Sequence, residues 1–215
     1  LTSREKTIVL AHGSSNGVDA ARFAPNDETR ARIRRELGFA DSDVVIGFIG
    51  RLTRDKGIAE LLQAFERVRN ARLLIVGDAE DGDPVDAATL AKLAHVTRLA
   101  HVADAAPYYS AIDILAFPSH REGFPNVVLE AASASVPAVG FRATGTVDAI
   151  EDGVTGTIVD DVDALAIALQ RYVDDESLRR AHGEAGRKRA VERFAPEEVW
   201  RALQELMRDE TARLA

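Results

Sequence analysis

The segment Ser119-His-Arg-Glu-Gly-Phe-Pro-Asn-Val-Val-Leu-Glu130 gathers residues that could do chemistry. Two carboxylates, Glu122 and Glu130, stand on either side of a turn that opens a helix. Gly123 lets another molecule approach the backbone closely. Pro125 suits the first helical position, where its missing N–H costs nothing and its φ is already helical. The next amides, from Asn126 onward, point free N–H groups out of the helix start, and phosphate is the usual occupant of such an anion site. Carboxylates beside a phosphate would repel it if they served only as charge. They make sense as acceptors of hydrogen bonds from hydroxyls, so the pattern reads as a site for a ligand with both phosphates and hydroxyls. A plainer reading also fits this segment alone: a Glu before a helix and another a turn in are common solvated or dipole-complementing residues.

A second loop, Gly50-Arg-Leu-Thr-Arg-Asp-Lys-Gly57, follows a strongly apolar run. It puts Arg51 and Lys56 just past a strand end, with Gly57 opening the next helix. Two cations and a helix N-terminus in one loop make a diphosphate clamp; the alternative is a solvated charged loop with Arg54 and Asp55 paired. The loop is not Gly-x-x-x-x-Gly-Lys-Ser/Thr, and no Gly-x-Gly-x-x-Gly follows any strand, which argues against a P-loop NTPase and a dinucleotide-dependent dehydrogenase. The acids of Gly77-Asp-Ala-Glu-Asp-Gly82 could hold a metal, but a turn-rich solvated loop is the favoured reading, since Asp and Gly dominate turns. His101 and His120 lie near strand ends and could approach the site, but read as structural, because no partner spacing singles them out. Neither Gly-x-Ser-x-Gly nor His-Glu-x-x-His occurs. With no Cys and no paired His, and with Asp81-Gly-Asp83 as the nearest approach to Asp-x-Asp, no metal site is expected.

These loops need a scaffold. The continuously apolar run 44–50 predicts a strand buried on both faces, and further strands are read at 73–77, 96–102, 112–115 (ending at Phe117-Pro118), 137–141 and 156–159. Helical periodicity and stop signals predict helices at 27–37, 58–69, 86–95, 106–111, 125–134, 146–150, 162–173, 176–191 and 197–212. The Arg-rich first of these reads as exposed. Buried strands alternating with helices mean an α/β fold, a Rossmann-like parallel sheet with helices on both faces. Ligands of such sheets bind beyond the carboxyl ends of the strands, which selects the loops after 50, 77, 102, 117 and 141.

At 215 residues the chain fits one domain with extensions. Its net charge of −8 disfavours a nucleic-acid partner, and no apolar run approaches the roughly 20 residues of a membrane span. The chain lacks an initiator Met and runs straight into the apolar Thr7–Ala11, so it reads as part of a longer protein.

Taken together, the loops resemble the retaining family-4 glycosyltransferases (group 1 glycosyltransferases) of GT-B fold, and within them the C-terminal, donor-binding domain. The matching pieces are Asn16-Gly-Val-Asp19 with Phe23 and Pro25, Gly50-Arg51 with Lys56-Gly57, Val76-Gly77-Asp78, and Tyr109 with Asp113-Ile-Leu and Pro118-Ser119. Glu122 with Glu130, Pro137-Ala-Val, Gly145 and Gly153-Val-Thr-Gly156 complete the run, in order, over nearly the whole chain. The resemblance implies a hexosyltransferase-type enzyme with a nucleotide-sugar donor, a UDP-sugar by expectation, and retention of configuration without metal or cofactor. It implies that Arg51 and Lys56 hold the diphosphate, that Glu122 binds a sugar hydroxyl, that backbone at Gly123, Phe124, Pro125 and Asn126 contacts the sugar and phosphate, and that Gly50 and Val127 belong to the donor-binding set. Glu130 takes the ribose hydroxyls, and the base sits against Thr97 to Leu99, including Arg98 and Leu99. Glu122, Arg51 and Lys56 are the implied catalytic group. The implied division is a linker and N-terminal remnant at 1–25, the nucleotide-sugar domain at 26–195 and a final helix at 196–215. The N-terminal acceptor domain is missing, so this fragment alone is expected to be inactive. The expected location is cytoplasmic, with the inner face of the membrane reached through the missing domain, and the expected product a polysaccharide or glycoconjugate. Two other readings are a nucleotide-sugar epimerase of the same fold and a non-catalytic nucleotide-binding module.

Overall fold

A computed structural model describes residues 13, 14, 16–79, 90, 93 and 95–214. Its six strands fall on the stretches read as strands: β1 (Val44–Ile49), β2 (Ala71–Val76), β3 (Val96–Leu99), β4 (Ile114–Phe117), β5 (Ala138–Phe141) and β6 (Gly156–Val159). All five neighbouring pairs are parallel. A parallel sheet needs cover on both faces, and the two cores supply it. Along β2, Leu74 and Val76 enter one core with α3 (Ala106–Ala111), α4 (Asn126–Ser133) and α7 (Glu176–Arg193). Leu73 and Ile75 point the other way, into a core with α2 (Ile58–Phe65) and α6 (Val162–Asp174). The alternation of side chains along a strand thus sorts the helices into two layers.

The strand order is β3-β2-β1-β4-β5-β6. The chain builds outward from β1 to β3, then crosses back to place β4 on the other side of β1. The loops after β1 and β4 therefore diverge and leave a crevice between them, the switch point at which open parallel sheets bind ligands.

Asp113 locks this switch point from the opposite end of the strands. Its backbone N–H donates to Val45 O at 2.7 Å, and its Oδ2 accepts from Val45 N at 2.7 Å and from Arg34 Nη2 at 2.6 Å. Arg30 binds the other carboxylate oxygen at 2.5 Å. Arg34 comes from α1 (Asp27–Glu36), the helix that reads as exposed in sequence; it is only 1% exposed. Burial pulls its guanidinium below the ordinary value and Asp113 opposes the shift. Its donors also reach the carbonyls of Ala111, Ala40 and Asp43.

Several boundaries differ from those read in sequence. Asn126, not Pro125, opens α4: Pro125 is extended, with φ −86° and ψ 99°. α2 ends at Phe65 rather than at 69, and Asn70 turns the chain with φ 58°. β3 stops at Leu99, and β4 begins two residues late because Asp113 occupies the approach. Val18 and Phe23, from the stretch read as linker, are buried in the first core. The apolar stretch at 7–11 and most of the expected helix at 86–95 lie outside the described residues. The chain closes with α5 (Thr146–Ala149) between β5 and β6, and with α8 (Pro196–Leu214). Among the described residues no helix is long and apolar enough to cross a membrane.

Candidate functional site

The loops after β1 and β4 are stitched together. Asp55 O accepts from His120 N at 2.9 Å and from Ser119 Oγ at 3.1 Å. Gly57, at φ 71°, packs so tightly on Pro118 that a Cβ there would lie 2.0 Å from the Pro118 carbonyl oxygen. Only glycine fits that turn. The stitching brings the short 3-10 turn Arg54–Lys56 against Glu122, and Lys56 Nζ donates to Glu122 Oε1 at 2.6 Å. The turn at Glu122-Gly123 is backed by Gly145, whose Cβ would lie 2.4 Å from Gly123 O.

Phe48, Ile49, Gly50, Lys56, Phe117, Glu122 and Phe124, with the start of α4, line a cavity of about 140 Å3 at this point. It has an apolar floor and one ion pair at its wall. The first amides of α4 project here, and Pro125 at the N-cap position gives them no side-chain hydrogen bond. They offer the partial positive charge of a helix start to an anion. Gly123 is exposed, has no positive φ, and a Cβ on it would meet nothing within 4 Å. The fold itself thus does not require a glycine at 123, in contrast to 57 and 145.

The structure gathers most of the residues singled out in sequence, but not all. Gly50, Lys56, Glu122, Phe124, Pro125, Asn126 and Val127 share the cavity, and Gly123 stands at its rim. Arg51 is exposed next to it and makes no ion pair among the described residues. The alternative pairing of Arg54 with Asp55 does not form; Asp55 accepts from Thr53 Oγ1 instead. Glu130 lies one turn farther along α4, where its Oε2 accepts from the Tyr109 hydroxyl at 2.6 Å. Arg98 and Leu99 are on β3, outside the cavity. Arg98 Nη2 donates to Gly77 O at 3.2 Å, its Nε is buried without a partner, and the Leu99 carbonyl accepts from Gly77 N. That carbonyl is therefore engaged within the fold. His120 binds Glu60 at 2.9 Å and packs on Phe141, the structural role expected for it. Among the described residues no group of His, Asp or Glu is arranged to hold a metal ion.

Sequence reasoning missed the contact of Tyr109 with Glu130 and the Lys56–Glu122 pairing. The signal for the second was present, since two loops at one switch point must meet. Two larger clefts, of about 790 and 600 Å3, open at the amino ends of the strands around Ser42 and Asp43. Ligands of parallel sheets sit at the carboxyl ends, so the small crevice, though less capacious, is the better candidate.

Comparison with known proteins agrees with this geometry. The family model for group 1 glycosyl transferases matches residues 43–175. The capsular polysaccharide biosynthesis glycosyltransferase CapM of Staphylococcus aureus is 35% identical over 96% of this chain and 56% of its own length. A GDP-mannose-dependent alpha-(1-6)-phosphatidylinositol monomannoside mannosyltransferase of Mycolicibacterium smegmatis is 34% identical, over 83% of this chain and 51% of its own. The fold matches Anabaena HepE in complex with UDP-glucose with a TM-score of 0.82 at 24% identity, covering 90% of this chain and 56% of that one. The sucrose-phosphate synthase of Thermosynechococcus elongatus matches with a TM-score of 0.80 at 27% identity, covering 91% and 51%. The chain spans about half the length of the curated relatives it matches. With a matched family model over most of its length, and with the parallel sheet of GT-B glycosyltransferases, the chain belongs to the group 1 glycosyl transferases.

Proposed function

We propose that this chain is the donor-binding half of a glycosyltransferase and takes a nucleotide sugar, a UDP-sugar first among them, for retaining, metal-independent transfer. The observation that carries the reading is the ion pair of Lys56 and Glu122 beside the uncapped start of α4, at the switch point of a parallel sheet. Here a cation, a helix N-terminus and a hydroxyl-accepting carboxylate face one small crevice.

In this reading Lys56, Arg51 and the first amides of α4 bind the diphosphate. As the bond to the sugar breaks, negative charge grows on the leaving phosphate, and these fixed positive groups stabilise it without reorganising. Glu122 accepts from a sugar hydroxyl, and backbone from Gly123 to Val127 seats the sugar and phosphate. Glu130 accepts from the ribose hydroxyls, and the base lies toward Arg98 and Leu99. The acceptor site belongs to the remaining half of a longer protein that makes a polysaccharide or glycoconjugate. The mannosyltransferase relative, named for GDP-mannose, makes a GDP-sugar the second reading for the base.

Titration calorimetry with UDP, GDP and their sugars, in excess chelator, tests this. Binding of UDP with chelator present is the expected result. Binding that vanishes with chelator and returns with magnesium would overturn the metal-free mechanism, and preference for GDP would correct the base. Glu130→Ala loses a charged hydrogen bond of about 1.5–3 kcal/mol, about tenfold or more in affinity; unchanged binding by the folded variant would reject the ribose role.

A further inference from the structure

Glu130 does not stand alone. Tyr109, on α3, is 1% exposed and donates its phenolic hydrogen to Glu130 Oε2 at 2.6 Å. Its ring is fixed edge-on against Phe23, with centroids 5.5 Å apart and planes at 81°. Phe23 in turn lies beneath the Arg22 guanidinium, which pairs with Asp104 at 2.8 Å. The three layers leave the phenol little freedom to rotate away. Among the described residues, Glu130 Oε1 accepts no hydrogen bond. One carboxylate oxygen is therefore pinned and the other is presented on the α4 face, a turn beyond Asn126.

We infer that Tyr109 is a positioning residue: it fixes one oxygen of Glu130 so that the other meets a vicinal diol of the ligand at a set angle. The inference rests on the ribose role proposed for Glu130. A carboxylate free to rotate loses conformational freedom when it binds a diol, whereas one already held by a buried donor loses less. Burial, with Glu130 second, pushes the Tyr109 hydroxyl well above its ordinary value. It stays protonated and remains a donor throughout the physiological range. The plain alternative is that the contact merely ties α3 to α4.

The two are separated by ligands that differ only in the diol. Tyr109→Phe keeps the ring and its packing on Phe23 and removes the donor alone. In calorimetry, Tyr109→Phe should bind UDP about three- to tenfold more weakly while binding 2′,3′-dideoxy-UDP as the unmodified chain does. In a Glu130→Ala background the same substitution should have no further effect on UDP. Thermal unfolding of each variant checks that it is folded. Equal weakening for UDP and its dideoxy analogue would show a scaffold contact, and no weakening for either would show that the hydroxyl is idle. Both overturn the inference while leaving Glu130 in place. If the unmodified chain binds the two ligands equally well, the ribose role of Glu130 fails and takes this inference with it. Should Tyr109→Phe not fold, the Glu130→Gln variant serves instead. Its neutral carboxamide can still accept from Tyr109, so UDP should weaken less than in Glu130→Ala, and equal loss in the two would overturn the inference.

Discussion

Glu122→Gln asks whether the crevice's ion pair holds the place of the ligand's phosphate. In the free chain, Lys56 Nζ lies 2.6 Å from Glu122 Oε1, with the two side chains 23% and 12% exposed. A diphosphate arriving at α4 must share Lys56 with this carboxylate and tolerate its charge. For one phosphate charge at about 6 Å from the carboxylate, the repulsion is about 0.7 kcal/mol at the dielectric of water and about 2.8 kcal/mol at an effective value of 20. The crevice opens to solvent, so the effect sits toward the lower end, at about 1 kcal/mol. Glu122→Gln should then bind UDP about fivefold more tightly. The amide oxygen can still accept from Lys56, so the lysine stays where it is. On the proposed role of Glu122 a UDP-sugar should behave differently, because the variant would replace a charged hydrogen bond to a sugar hydroxyl with a neutral one, a loss of about 1 kcal/mol or more. Gain and loss cancel for the sugar nucleotide but not for UDP. Calorimetric titration of both ligands, with thermal unfolding alongside, reads the ratio of affinities. Unchanged or weaker UDP binding would refute the competition, and equal loss for both ligands would mean that Glu122 only shapes the crevice.

Lys56→Ala should weaken UDP far more than uridine in calorimetry, since it removes the proposed phosphate contact; equal loss would mean collapse of the loop. Gly123→Ala should unfold within about 0.5 kcal/mol of the unmodified chain, because nothing in the fold meets the added methyl, yet bind nucleotide sugar poorly. A strongly destabilised Gly123→Ala would reverse the argument that this glycine serves the ligand. Asp113→Ala should cost about 3–5 kcal/mol in urea denaturation, because it leaves Arg34 charged and buried without its carboxylate; a loss below about 1 kcal/mol would show that the surrounding carbonyls suffice.

The strands were the most legible part of the fold, for a physical reason. A strand buried on both faces must be apolar throughout, and β1, β4, β5 and the buried stretch 73–76 of β2 are. β3, the half-buried edge strand Val-Thr-Arg-Leu, carries a weaker signal, and its end was read too far along. Asp113 misled the reading of β4: Ile112 is apolar and buried, but the register begins after the aspartate that fastens the strand to β1. Arg34 could not have been assigned to the interior from its type, since burial of an arginine depends on acceptors that come from residues 40 to 113. For the crevice, Lys56 and the Glu122–Val127 turn were visible because a strand end, a cation and a helix start recur at one switch point. The partner of Glu130 was not, because Tyr109 sits 21 positions earlier on another helix and only packing reveals which way its ring turns.

The two halves of the crevice are far apart along the chain. Lys56 and Glu122 are separated by 66 positions, and the Val45–Asp113 bond that joins β1 to β4 spans 68. Closing a loop of that size carries an entropic cost before any contact repays it, and such non-local pairings slow folding. The seam between β1 and β4 is therefore a natural late step, with the β1–β2–β3 side and the β4–β5–β6 side able to gather more locally first. A nucleotide seated across the seam grips contacts absent until the end of folding. Ligands that stabilise such late contacts act on unfolding rather than on folding. If the seam takes the proposed nucleotide donor, donor supply would then set how long each folded copy survives rather than how fast new copies mature.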